Sequence, residues 1–156
     1  MFVKPEFISE TEEKKHNLNN HTLWYKEKIK FNHLAEIKNA WTKRAIYYVN
    51  YWINIWSEIN GVRPSIIYKS SKSSYGEDTI VIPLTSDKIW KSIDSFDVEI
   101  LPDSDNGLKV LSHVKIRQIR CVSKKRIETY VGKIINEEVK NTIQSKLISM
   151  FGMKIK

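Results

Sequence analysis

The cations Lys115, Arg117, Arg120, Lys124, Lys125, Arg126 and Lys133 fall in one stretch that contains a single acid, Glu128. Lysine and arginine at that density suit a surface that tracks a phosphate backbone. A charge run is ordinarily just a solvated face. This one also contains Gln118, whose amide can read a base edge. Arg63 stands apart, beside Pro64. A guanidinium stays charged and donates through a fork matched to phosphate oxygens. Its local sequence alone reads as a surface arginine next to a turn proline. Thr85 closes an apolar run and locally reads as a β-branched strand residue. Its hydroxyl can donate to an oxygen or hold another hydroxyl in line, but it is a poor base.

Other chemistries lack their residues. There is no GxGxxG, P-loop or GxSxG, so nucleotide folds and the hydrolase elbow are unsupported. His16, His21 and His33 lie in the amino-terminal third, and His113 stands alone, so no metal site is expected. His16 and His21 read as solvated side chains in a polar segment. Cys121 lies in an apolar alternation and reads as an inert buried thiol. Asp103 and Asp105 read as turn formers rather than calcium ligands.

Composition agrees with a packed protein. The 156 residues suit one domain with an appendage, and 41% are hydrophobic. Aromatic content of 11% excludes a wholly disordered chain. One cysteine excludes a disulfide scaffold. No run of about 18 apolar residues exists to span a bilayer. The charged amino terminus, MFVKPEFISETEEKK, lacks the apolar core of a secretory signal. A cytoplasmic, reducing location is therefore expected. The net charge of +8 is compatible with a polyanionic partner and equally with solubility.

The elements that must position these residues follow from pattern. Residues 1–22 are polar and read as a lead-in. Over 23–43, Trp24, Phe31, Leu34, Ile37 and Trp41 recur near helical spacing and predict a helix, outside the main domain at 44–156. AIYYVNYWI from Ala45, RPSIIYK from Arg63 and TIVIPLT from Thr79 read as strands. Pro83 inside the third predicts a strand end, an edge or a bulge. FDVEIL alternates as a half-buried strand, PDSDNG is a turn, and HVKIRQIRCV alternates as one further strand. Asn136 caps a final helix with Val139, Ile143, Leu147 and Met150 on one stripe and Gly152 as its stop. The fold class is α+β: a small, mainly antiparallel sheet or barrel with helices to one side.

Three segments form an ordered set. They are Ser57-Glu58-Ile59-Asn60-Gly61-Val62-Arg63-Pro64, then Pro83-Leu84-Thr85-Ser86, then Gln118-Ile119-Arg120 followed by Lys124-Lys125-Arg126-Ile127. Together, over about Ile46 to Met150, they resemble the MazF/PemK family of ribonuclease toxins in order and spacing. No single piece is specific; the set is. Three positions depart from the family pattern. Arg44-Ala45 stands where the first strand usually opens with glycine and an acid, Trp56 replaces a loop glycine, and Arg117 replaces an acid before the glutamine.

The resemblance implies an SH3-like β-barrel, a homodimer, no cofactor, and cleavage of single-stranded RNA without a metal. The ribose 2′-OH would attack the adjacent phosphorus, leaving a 2′,3′-cyclic phosphate and a 5′-OH. It assigns Arg63 and Thr85 as catalytic: Arg63 to stabilise phosphoryl charge, Thr85 to donate to a phosphoryl oxygen or hold the 2′-OH. It places Ser57, Glu58, Ser86, Gln118 and Arg120 at RNA-contacting positions. Glu58 would orient Arg63 or accept a base N–H, or be a solvated loop acid. Gln118 would read a base, or be a satisfied buried amide. Arg120 would bind phosphate, or pair with an acid across the sheet. The implied protein partner is a cognate antitoxin whose acidic, disordered segment folds over the RNA groove.

The competing expectation is a non-catalytic module of the same barrel type that binds a protein target such as gyrase. Such a module would not need both Arg63 and Thr85. The apolar stripe of the amino-terminal extension carries one more expectation, inhibition in cis. Deleting residues 1–42 should then raise RNA cleavage, and unchanged cleavage by the shortened chain removes the idea.

Overall fold

The computed structural model describes residues 22–23, 25–26, 29, 42–52, 54, 58–68, 77–86 and 94–154. The chain divides into two compact units, Met1–Ala35 and Glu36–Lys156. In the first, Thr22, Leu23, Tyr25, Lys26 and Ile29 are helical. Trp24, Phe31, Leu34, Ile37 and Trp41 lie outside the described residues, so the helix expected over 23–43 is not supported along its length.

The second unit holds seven strands and one long helix. They are β1 (Ala45–Asn50), β2 (Val62–Ile67), β3 (Asp78–Ser86), β4 (Val98–Ile100), β5 (Ser112–Val114), β6 (Arg120–Ser123), β7 (Ile127–Lys133) and α1 (Glu137–Met150). Every described pairing is antiparallel, in the order β4-β5-β3-β2-β1-β7, with β6 also on β3. The expected α+β fold is thus present.

Both faces of the sheet carry buried apolar side chains, drawn from alternate positions along the strands. Ile46, Ile66, Ile82, Leu84 and Val114 point one way and meet Ile143 and Leu147 of α1. Each such buried side chain contributes about 1.5–3 kcal/mol. Ala45, Tyr47, Val49, Ile67, Val81, Val122 and Ile127 point the other way and form a second cluster with Tyr51. The helix begins as its sequence predicts. The Asn136 side chain accepts from the Glu138 and Val139 amides at 2.9 and 3.2 Å.

Pro83 explains why two strands, β5 and β6, share one side of β3. β6 pairs with β3 over Asp78–Val81, while β5 pairs with it over Leu84–Ser86. Residues 115–119 cross the interval that Ile82 and Pro83 span on β3. The surplus is taken up by a 3-10 turn, Ile116–Gln118. Proline has no N–H for a ladder, so the partner strand need not run straight past it. Its carbonyl still accepts from Lys115 N at 2.9 Å. HVKIRQIRCV is therefore two short strands and a turn, not the single strand its alternation predicts. Ile116 stays fully buried in the turn, which is why the apolar pattern persists through it.

Arg44, where the resemblance would place a glycine, has φ 72°. Both its peptide groups are fixed: its N–H donates to Ile67 O at 2.7 Å and its carbonyl accepts from Ile134 N at 3.0 Å. The sheet thus holds a side-chain-bearing residue in the left-handed region, at a cost of about 1–2 kcal/mol. Arg44→Gly should raise stability by up to about 1 kcal/mol after glycine's extra chain entropy is subtracted. Urea midpoints of the two proteins check this, and a lower midpoint for the variant would show that the arginine side chain outweighs the strain.

Candidate active site

The loop between β1 and β2 is closed by a backbone neck. Tyr51 N donates to Gly61 O at 2.8 Å, and Gly61 N donates to Trp52 O at 2.7 Å. Gly61 at φ 68° supplies the required turn without strain. Trp52 has φ 63° and is held there by its own N–H donating to Asn50 Oδ1 at 3.0 Å.

Arg63 follows directly, second in β2 and half-buried. Its Nε donates to Asn60 O at 3.1 Å. That bond fixes the guanidinium plane through its inner nitrogen and leaves the outer edge for an anion. The contact that orients Arg63 is thus a loop carbonyl rather than Glu58, which is exposed. Ser57 lies outside the described residues.

Thr85 and Ser86 end β3, both half-buried. Thr85 Oγ1 donates to Ser86 O at 3.4 Å. The β2–β3 register pairs Ser65 with Pro83. That rung is the last of the β2–β3 ladder; Arg63 lies two residues before it on β2 and Thr85 two residues after it on β3, each on the face of its strand that carries Ser65 or Pro83. Thr85 pairs with His113 of β5, which in turn pairs with Glu99 of β4. His113 is buried. Sequence spacing could not show this row, because its members come from three strands.

Gln118 and Arg120 reach the site because the 3-10 turn delivers them there. Arg120 Nη2 donates to Gln118 Oε1 at 2.6 Å, and Ile59 N donates to the same oxygen at 3.4 Å. The Arg120 guanidinium lies over the Tyr51 ring, 5.2 Å from its centroid. The Tyr51 hydroxyl and Ser65 Oγ are 2.8 Å apart. Ser65 Oγ donates its one hydrogen to Arg63 O at 3.2 Å, so Tyr51 is the donor of the pair. Tyr51 and Ser65 went unnoticed in the sequence, where both read as ordinary strand residues.

Much of the basic stretch is engaged inside the molecule. Lys115 pairs with Asp97. Arg117 pairs with Asp94 at 3.3 Å and lies over the Phe96 ring. Arg126 Nη1 donates to Asn50 O at 3.1 Å. Cys121, expected to be buried, is exposed, because it faces away from Val122 and the second cluster. No described group of three or more His, Cys, Asp or Glu side chains is placed to hold a metal ion.

A family model for the PemK-like, MazF-like toxin of type II toxin–antitoxin systems matches residues 42–151. The chain belongs to this toxin family. Solved structures agree on the fold. MazF from Deinococcus radiodurans is 20% identical, with a TM-score of 0.60, over 74% of this chain and 100% of that one. An endoribonuclease in complex with its cognate antitoxin, from a mycobacterial species, is 18% identical with a TM-score of 0.57, over 76% and 99%. Mycobacterium tuberculosis toxin MazF-mt6 is 15% identical with a TM-score of 0.56, over 72% and 100%. Comparison with curated protein sequences gives no significant match. The PemK/MazF match begins at residue 42, so most of the amino-terminal extension lies outside it.

Tyr51 gives this toxin a measurable signature. Burial pushes its phenol up to about 12, against the nearby Arg120 charge, which favours the phenolate. The folded state therefore favours the neutral phenol. Its contribution to stability is complete below the ordinary value of 10.0 and is lost as pH rises from there toward about 12. Denaturation measured across that range should show a steeper decline for the unaltered protein than for Tyr51→Phe. Equal slopes would contradict the buried phenol.

Proposed function

We propose that this chain is the ribonuclease toxin of a toxin–antitoxin pair, cutting single-stranded RNA at selected sequences and so blocking translation. The observation that carries the reading is that Arg63 and Thr85 each lie two residues from the terminal Ser65–Pro83 rung of the β2–β3 ladder, within a PemK/MazF fold. Structures of similar fold, an endoribonuclease in complex with its cognate antitoxin among them, support it.

The chemistry follows from the groups. In RNA the 2′-OH is an internal nucleophile, so cleavage needs in-line geometry, charge relief on the phosphoryl oxygens and proton transfer. With Nε held by Asn60, Arg63 offers its outer edge to those oxygens. The half-buried Thr85 hydroxyl donates to a phosphoryl oxygen or holds the 2′-OH in line. The 2′-oxygen loses its proton to water as it bonds to phosphorus, the P–O5′ bond breaks, and the departing 5′-oxygen takes a proton from water. The products are a 2′,3′-cyclic phosphate and a 5′-OH. By the family resemblance, Ser57, Glu58, Ser86, Gln118 and Arg120 are the residues that contact the strand. A homodimer, a cytoplasmic location and an antitoxin that covers this groove complete the reading.

The test is incubation of the purified protein with a long, mostly unpaired RNA in excess chelator, with mapping of the ends. Discrete cuts carrying cyclic phosphate ends are expected. Arg63→Ala and Thr85→Ala should each lower cleavage by about 10²–10³-fold, the scale for losing one donor to a developing oxyanion. Absence of cleavage across varied RNAs by a folded protein would overturn the reading in favour of a protein-binding module.

A further inference from the structure

Three consecutive loop residues are each tied to a different part of the site. Ile59 N donates to Gln118 Oε1. Asn60 O accepts from Arg63 Nε. Gly61 O accepts from Tyr51 N. Tyr51 also reaches the other two attachments. Its hydroxyl holds Ser65, whose Oγ holds the Arg63 carbonyl. Its ring carries Arg120, which holds Gln118. The contacts close a circuit, and Tyr51 is the one residue that joins both of its arms. Tyr51 is 4% exposed, so this side chain is too enclosed to touch an RNA strand itself.

We propose that Tyr51, acting through Ser65, is a positioning residue that holds the Arg63 guanidinium in the place its phosphate contact requires. This inference rests on the ribonuclease reading. Arg63 pairs with Val49 in the β1–β2 ladder, and two further contacts hold it, at its Nε and its carbonyl; the circuit includes both of these. The carbonyl bond is made by a serine hydroxyl oriented by the tyrosine hydroxyl. The Nε bond is made by a loop whose two flanking residues are held by Gln118 and by Tyr51 itself. Displacement of a catalytic group by about 1 Å can cost about 10²-fold in rate, so a small loosening of this frame is visible in turnover. Binding of the strand through its other contacts is not affected by that loosening.

Tyr51→Phe is the informative substitution, because it retains the ring beneath Arg120 and deletes only the hydroxyl. Two readouts are taken on the full chain. The first needs no RNA: the exchange rate with water of the arginine Nε–H protons, resolved by arginine-labelled NMR. Tyr51→Phe and Ser65→Ala should each speed exchange at Arg63 by about tenfold, the scale of one net hydrogen bond, and leave Arg120 unchanged. The second is RNA cleavage. Each variant should lower kcat by about tenfold while KM moves less than about twofold, and the double variant should be no worse than either single one. Unchanged exchange at Arg63, additive losses in the double variant, or a change confined to KM would overturn the proposal. If the unaltered chain cuts no RNA, the ribonuclease reading fails, and the exchange rates alone decide whether Tyr51 holds Arg63.

Discussion

The missing N–H of Pro83 is the constraint on which the site depends. A proline in the middle of a central strand leaves one rung that no neighbour can complete. The strand beside it therefore divides into β5 and β6, and the chain between them coils into a 3-10 turn. Gln118 ends that turn and Arg120 begins the next strand. Had β5 and β6 been one ladder, strict alternation would have set both side chains by the pleat alone. The turn instead aims them across the sheet at Tyr51 and Ile59. Lys115 N bonding to Pro83 O ties the two sides of the irregularity together.

Around this point the fold separates two tasks. One face of the sheet packs against α1 with only aliphatic side chains in its buried cluster. The other face carries a second apolar cluster that runs out, at the end of β2 and β3, into Ser65, Arg63 and Thr85. Polar groups thus begin where the apolar packing of that face stops. There each finds a partner: Ser65 takes the Tyr51 proton and gives its own to the Arg63 carbonyl. An interior hydroxyl left alone would cost about 1–3 kcal/mol, which explains why the two hydroxyls occur together.

The positive charges show how a linear pattern misleads. In sequence, Lys115 to Lys133 is one basic run. In three dimensions it is spread over two short turns and two strands, β6 and β7. Lys115 and Arg117 are held by Asp97 and Asp94, and Arg126 by the carbonyl of Asn50. These partners are distant in the chain, so no local reading reveals them. Arg120 is likewise bound to a neutral amide and a ring rather than to an acid across the sheet.

The strands of β-branched and aromatic residues, the capped final helix, the α+β class and the family are all readable from local pattern. Each of these is written in local periodicity, in a cap or in the order of short motifs, and such signals survive without knowledge of what packs on what. Arg63, Thr85, Gln118 and Arg120 were legible only as members of that ordered set. Tertiary structure alone decided the break in the late strand, the left-handed Arg44, the row of Thr85, His113 and Glu99, and the Tyr51–Ser65 link. All of these depend on register between strands far apart in sequence. A one-residue slip in that register would exchange every inward and outward side chain, and no local pattern specifies it.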